Sequence, residues 1–263
     1  MPADMTTGDR VDGAAGGGPG QIDRLLAGMD AIQASWAADD ARRFFHSVYT
    51  RTTKAFRQEI AAGGFLDPAW VERWDIVFAD LYLDAVVAWE GGGARETPGP
   101  WAVAFATARD RPDLQQLRHI LFGLNVHVNY DLPQALLAVI TDDEFDDPAC
   151  SARRARDHEH ADIVLLARVG AEDELIGGKT LVDRLLTPLS RRATKRFIAE
   201  ARMKVWRNAR ALSLARRQGP AALEERTKEL EALCAARVQD LVEPGQVLLK
   251  LARRGFGVVL QGA

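Results

Sequence analysis

From Gln21 onward the hydrophobic residues recur at intervals of three and four, the spacing of a helix that buries one stripe. Ile22, Leu25, Leu26, Met29 and Ile32 set the pattern. A second helix is expected from Asp39 or Asp40 to Ile60, carrying Phe44, Phe45, Val48, Tyr49 and Phe56. The run Ala61-Ala62-Gly63-Gly64 ends it, because glycine tolerates the left-handed turn that follows a helix. Asp67-Pro68, Asp131-Leu132-Pro133 and Asp147-Pro148 each put an acidic residue beside or near a proline. Proline suits the first helical turn and aspartate accepts from the free amides there, so these sites predict helices over 68–90, 133–140 and 148–169. Further helices are expected over 100–109, 112–129, 179–186, 191–217 and 220–241, with a short one after Pro244. Only the last few residues hint at a period of two, so no sheet is expected. The predicted fold is all-α: a single domain of roughly nine or ten helices over 21–263, closing in an antiparallel hairpin at 191–241. Residues 1–20, rich in glycine and small residues, have little to bury and are expected to form a disordered tail.

Composition narrows the classes. A formal net charge of -3 gives no field that would draw nucleic acid or an anionic membrane. No apolar run approaches the ~18 to 20 residues needed to cross a bilayer, and the N-terminus lacks the apolar core of a secretory signal. The two cysteines, Cys150 and Cys234, form neither a disulfide framework nor a CxxC site and fit a reducing cytoplasm. Basic residues crowd 191–217, but the acids of 224–231 offer pairing across the hairpin, a simpler reading than a phosphate track. Whether the chain pairs into a homodimer is left open.

Candidate chemistry centres on 119–131. Four of the five histidines, His119, His127, His158 and His160, fall between positions 119 and 160. On a helix His119 and His127 lie ~80° apart with Gly123 on the same side. That glycine predicts close approach of a backbone or a ligand, since it costs helix stability of order 1 kcal/mol. Asn125 and Asn129 form a second polar stripe among Leu121, Phe122, Leu124, Val126 and Val128. Burying amides and imidazoles there is costly unless they are bonded or ligated. The catalytic candidates are therefore His127, Asp131, Asn125, Asn129 and His119. His119 also reads as a bonded core histidine, and Asp131 as the cap of the helix after it.

His158 and Asp162 are four apart on the next long helix. If that helix packs on the first, His127, Asp131, His158 and Asp162 form a ligand set for a divalent ion, zinc foremost. On the second helix Arg43, His46, Tyr49 and Thr53 follow three-and-four spacing and suit a polar ligand, although a merely solvated face is the simpler account. Asp75, alone among Trp74, Ile76, Val77 and Phe78, is a further carboxylate or the partner of an arginine such as Arg43. Arg43, His46, Tyr49, Asp75 and Tyr82 are the substrate-binding candidates. There is no HExxH, P-loop or GxSxG.

Two resemblances rest on these residues. LFGLNVHVNYDLPQAL at 121–136, with FLDPAWVERWDIVFADLYLDAV at 65–86 and PWAVAF at 100–105, resembles an actinobacterial family of helical proteins of unknown function. That family carries a block LGxNxHxxxDL, in which Phe122 stands here for the first Leu. The resemblance spans about 43–162; it implies a helical fold and no established activity. The His127-x3-Asp131 pair is also similar to a metal-ligand pair of the zinc-dependent phospholipase C and P1-type nuclease superfamily. There a further His follows, whereas Pro133-Gln134-Ala135 follow here, and the N-terminal Trp ligand is missing. The resemblance thus implies a mono- or dinuclear site rather than a three-zinc cluster.

Three functions are expected in order. The first is a metal-dependent, hydrolase-like enzyme in which a bound ion activates water. The second is a metal-free cyclase or isomerase of specialised metabolism that uses the same polar groups for proton transfer to an apolar small molecule. Trp70, Trp74, Phe78, Tyr82, Trp101, Phe105 and Phe122 supply the aromatic surface for its pocket. The third is a non-catalytic helical binding protein with the C-terminal hairpin as its partner surface.

Overall fold

The computed structural model describes residues 20–175, 188–245, 251 and 255–262. The expected tail, the helix expected at 179–186 and the short helix expected after Pro244 lie outside the described residues. Helix α1 (Gln21–Ser35) buries Ile22, Leu25, Leu26 and Met29, the stripe its spacing predicts. Helix α2 (Arg42–Ala61) ends at Gly63, whose φ of 73° is the left-handed turn that favours glycine. Helix α3 (Pro68–Gly91) starts on Pro68, and the Asp67 carboxylate accepts from the Trp70 amide at 3.1 Å. The same carboxylate takes the Arg154 guanidinium at 2.7 Å. Asp157 holds the stretch of loop before it, accepting from the amides of Leu66 and Asp67 at 2.6 and 3.0 Å.

Helix α4 (Gly99–Asp110) runs into α5 (Gln116–Val126). The chain does not break after α5, as the Asp131-Leu132-Pro133 signal predicts. It continues through a π turn (His127–Asp131) into α6 (Leu132–Val139). Pro133 has no N–H to offer the carbonyl of Asn129, and its ring crowds that carbonyl. Widening the preceding turn, with the Leu132 amide reaching back to the His127 carbonyl, accommodates both. Asp131 makes no capping hydrogen bond. Its carboxyl is thereby left for other work.

Helix α7 (Asp142–Asp146) opens on a capping box between Thr141 and Glu144, a signal absent from the expectations above. Then come α8 (Pro148–Leu175), α9 (Pro188–Gln218) and α10 (Pro220–Val242). Helices α9 and α10 form the expected hairpin about Gly219, at φ 120°. Its charge pairing differs from expectation. Arg216 and Arg217 meet Asp142 and Asp146 of α7, and Arg202 meets Glu159 and Asp162 of α8. On α10, Glu224 and Glu229 pair instead with Lys228 and Arg226 of the same helix, and Glu231 accepts from the Gly99 amide at 2.6 Å. Long arginines reach sideways to the helices on which α9 packs.

Among the described residues there is no strand, and no helix is long and apolar enough to cross a membrane. Both cysteines are free. Two apolar cores result. One joins α1, α2, α3, α4 and α5 to α10 around Phe45, Tyr82, Trp101 and Leu230. The other gathers Phe56, Trp70, Trp74, Leu136 and Val205. Phe78 and Val128 pack against both, so the π turn sits at their junction.

Asp67 concentrates the start of α3 in one side chain. Asp67→Ala should cost about 1 to 2 kcal/mol in urea unfolding, the range of a lost N-cap. Asp67→Ser, which keeps the cap and drops the ion pair, should recover most of it.

Candidate functional site

The π turn aims His127 and Asp131 into the protein interior, where both are at most 2% exposed. His127 Nδ1 lies 2.8 Å from Asp131 Oδ2. The Trp101 indole N–H donates to the same carboxyl, at 2.9 Å to Oδ2 and 3.2 Å to Oδ1. Trp101 sits in the first turn of α4, and Pro100 in front of it starts that turn. Its part in fixing Asp131 was not foreseen; PWAVAF offered it only as aromatic lining.

Rings enclose the imidazole. Phe78 stacks on His127 with centroids 3.6 Å apart and planes 6° from parallel. Tyr49 meets it edge-on at 4.3 Å, and Phe45 and Tyr82 stand at 5.9 Å. The second imidazole nitrogen, Nε2, is buried and has no hydrogen-bond partner. Two more polar atoms nearby are also buried and unpartnered, the Tyr49 hydroxyl and Asp75 Oδ2. The Thr53 hydroxyl beside Tyr49 donates to the Tyr49 carbonyl at 3.2 Å. Asp75 lies one turn before Phe78 on α3, and its charge acts on the Tyr49 phenol.

The polar face foreseen on α2 is largely buried rather than solvated. His46, Tyr49 and Thr53 point inward. His46 is fully satisfied: Nε2 donates to the Met29 carbonyl at 2.8 Å, and Nδ1 accepts from the Tyr82 hydroxyl at 2.9 Å. A carbonyl only accepts, which fixes that tautomer. His46 is thereby fully bonded, and Tyr82 commits its hydroxyl to it while its ring stands beside His127. Arg43 turns away, donating to the carbonyls of Gln33 and Trp36, so it does not partner Asp75.

Asn125 and Asn129 are committed elsewhere. Both side-chain amides donate to one acceptor, the Phe256 carbonyl, at 3.2 and 3.1 Å. They pin the C-terminal segment and do not face the imidazole cage. His119 is buried with both ring nitrogens unpartnered, and it lines a narrow cleft with Arg42, Phe45, Tyr82, Trp101 and Phe122. Gly123 lies on that cleft as well. A Cβ there would fall 2.2 Å from Phe45 Cγ, so the close approach that glycine permits is by a phenylalanine ring.

The four side chains expected to gather around an ion do not converge. Asp162 pairs with Arg202 at 2.9 Å. His158 lies between Trp74 and Trp206, at 5.3 and 5.8 Å. His160 faces Glu59 at 2.6 Å. Among the described residues no group of three His, Cys, Asp or Glu side chains is placed to hold a metal ion. The predicted zinc set therefore does not fit the residues present, because α8 packs beside α2 and α9 rather than against the π turn.

Burial governs the electrostatics. It pushes the Asp131 carboxyl well above the usual carboxylate range, against the pull of Trp101, and holds the His127 imidazole well below the usual histidine range. It lowers His158 to about 3 and, with the neighbouring Glu72 charge, raises Asp75 to about 7. A raised carboxyl pKa means the folded state binds the proton more tightly than the unfolded one. Asp75 thus adds stability in full below pH ~4, and that stability is lost as pH rises to about 7. Asp75→Asn never ionises. Across pH 4 to 7 its unfolding free energy should rise relative to wild type by up to about 1.4 kcal/mol per pH unit. A pH series of urea melts reads this directly; a constant difference would mean an ordinary carboxyl.

No curated protein and no solved structure matches the chain. A family model does, over residues 22–244, and its description reads "Family of unknown function (DUF5995)". Its span takes in every element of the His127 cage and stops short of the segment that Asn125 and Asn129 hold. With the match running from the first turn of α1 past the end of α10, the chain belongs to this family of unknown function.

Proposed function

We propose that the protein is an enzyme that transfers protons to and from a largely apolar small molecule, an isomerase or cyclase with His127 as proton donor and Asp131 behind it. The observation that carries this reading is His127 Nε2, buried and unpartnered on a ring whose other nitrogen is bonded to a carboxyl. Among the described residues His127 is the one ion-pair partner of Asp131. In so apolar a setting the uncharged combination is favoured: one proton lies between Oδ2 and Nδ1, and Nε2 carries its own.

The chemistry follows from that arrangement. A substrate double bond or hydroxyl takes the Nε2 proton while the Asp131 proton passes to Nδ1. The carboxylate left behind balances the positive charge on the substrate. The faces of Phe45, Tyr49, Phe78 and Tyr82 stabilise such a cation. Loss of a proton from a neighbouring carbon to Nε2 returns the proton on Nδ1 to Asp131, so nothing but the substrate changes. Asp75, with a free oxygen one turn from Phe78, is a second acceptor for that proton.

Access would run through the cleft at His119, whose volume of about 20 Å³ holds little more than one water and must widen to admit a substrate. Phe45, Tyr82 and Trp101 belong both to its wall and to the cage, and Phe45 is the partition. Its ring must swing off Gly123 for a ligand to reach His127.

A screen by isotope uptake tests this without a named substrate. Wild-type protein incubated in heavy water with panels of apolar alcohols, ketones and polyenes should convert one of them to a product of unchanged formula that carries deuterium. His127→Gln and Asp131→Asn should slow that conversion about 100-fold or more while retaining the wild-type helical signal. Conversion at the wild-type rate by folded His127→Gln protein would sink the reading.

A further inference from the structure

The described residues after α10 end in a non-helical segment, 255–262, and the manner in which it is held is specific. Among the described residues, helix side chains reach its main chain through a series of hydrogen bonds. Asn125 and Asn129 donate to the Phe256 carbonyl. Asn208 of α9 donates to the Val258 carbonyl and accepts from the Leu260 amide, both at 3.0 Å, as an adjacent β-strand would. Arg237 donates to the Gly255 carbonyl at 3.1 Å. Arg226 and Glu229 take the carbonyl and amide of Gln261 at 2.8 and 2.9 Å.

The side chains follow the alternation of extended chain. Phe256, Val258 and Leu260 are buried at 7, 6 and 1% exposure, while Val259 between them is only half-buried. Gly257 lies so close to α9 that a Cβ would sit 2.6 Å from Lys204 Cδ and 3.5 Å from Asn129 Oδ1. Main-chain bonds for affinity, with pockets for alternate side chains, constitute the general scheme of peptide recognition.

We propose that the groove between the π turn, α9 and α10 is a peptide-binding site, occupied in cis by the chain's own residues 255–262. Its ligand is an extended segment with apolar residues at the first, third and fifth positions and glycine at the second. Gly245 at φ 128° and Gly255 at φ 73° give swivel points about which the segment can leave the groove. The same peptide supplied in trans, free or from a second copy, makes the same bonds. This inference is independent of the proton-transfer chemistry, since none of its contacts involves His127 or Asp131.

The probe is a fluorescein-labelled synthetic peptide, GFGVVLQG, titrated into full-length protein and followed by anisotropy. Wild type should bind it weakly, because a tethered segment competes at high effective concentration. Full-length Phe256→Asp, whose own segment is expelled, should bind it at least about tenfold more tightly. Adding Asn208→Ala to that variant should reverse the gain, and unlabelled peptide with valine for glycine at its third residue should not compete. Equal binding by wild type and a cooperatively melting Phe256→Asp chain, or binding indifferent to Asn208→Ala, would overturn the proposal. Should Phe256→Asp fail to fold, a protease recognition sequence after Gly245, cut in the folded protein, leaves the groove and segment unaltered. The labelled peptide should then exchange in, and no exchange at about hundredfold excess would refute the groove equally.

Discussion

The structure is organised around the problem of keeping the Asp131 carboxyl in a dry interior. Burial of an acid is costly unless donors meet it. The Trp101 indole donates to it, and His127 Nδ1 stands 2.8 Å from its Oδ2 as the second partner. Each makes a demand on the fold. Trp101 requires the first turn of α4 to sit at a fixed depth beside the π turn. His127 requires that residues 127 and 131 share one face of the helical run, as residues four apart do. The proline that enforces the widening is two residues further on. One covalent peculiarity, the missing N–H of Pro133, therefore propagates into the geometry of a proton-sharing pair.

What surrounds the pair sets it apart from His46, whose ring nitrogens are both satisfied. His46 is as deeply buried, but its neighbours are ordinary packing. His127 is bonded on one side only. Its free nitrogen, the Tyr49 hydroxyl and Asp75 Oδ2 each forgo a hydrogen bond worth about 1 to 3 kcal/mol to a buried group. Folding tolerates that loss because two apolar cores meet at this point and bury large aromatic surfaces on either side. A stability-driven sequence would replace these atoms with methyl groups. Their presence within one aromatic cage is the physical reason to read the cage as a reaction site.

Much of the fold was legible because its signals are local. The three-and-four spacing of Ile22 to Met29, the cap at Asp67 and the glycine after α2 are properties of neighbouring residues, and each has its predicted consequence. Asp131 misled for the same reason. Beside Pro133 it has the form of an N-cap, and nothing within five residues reveals that the helix runs on through a π turn. The His127–Asp131 pair was legible only as a His-x3-Asp spacing, because the expected helix stopped at 129. The zinc set was not, because it required two helices to face each other, and Asp162 finds Arg202 across a contact with α9 instead. Trp101 was read as lining because its indole donor has meaning only once the acceptor across the interface is known.

Asn125 and Asn129 expose a deeper limit of side-chain pattern. They were singled out because amides among apolar residues need partners; their NH2 groups have one, while both Oδ1 atoms are buried without a partner. The partner is a backbone carbonyl more than a hundred positions away, and every residue type carries the same carbonyl. No spacing rule can point to it. The residue type can still be rationalised afterwards. A carbonyl accepts only, so two carboxylates at these positions would place acceptors against an acceptor, and two leucines would leave the Phe256 oxygen buried without a donor. Asparagine at both positions supplies two N–H donors for the two lone pairs of one oxygen. The demand that put amides on the back of this helix thus originates in the main chain of the C-terminal segment, while the imidazole on its front answers to Asp131. A single helix carries two polar stripes because two unrelated acceptors, one on each side, must be satisfied.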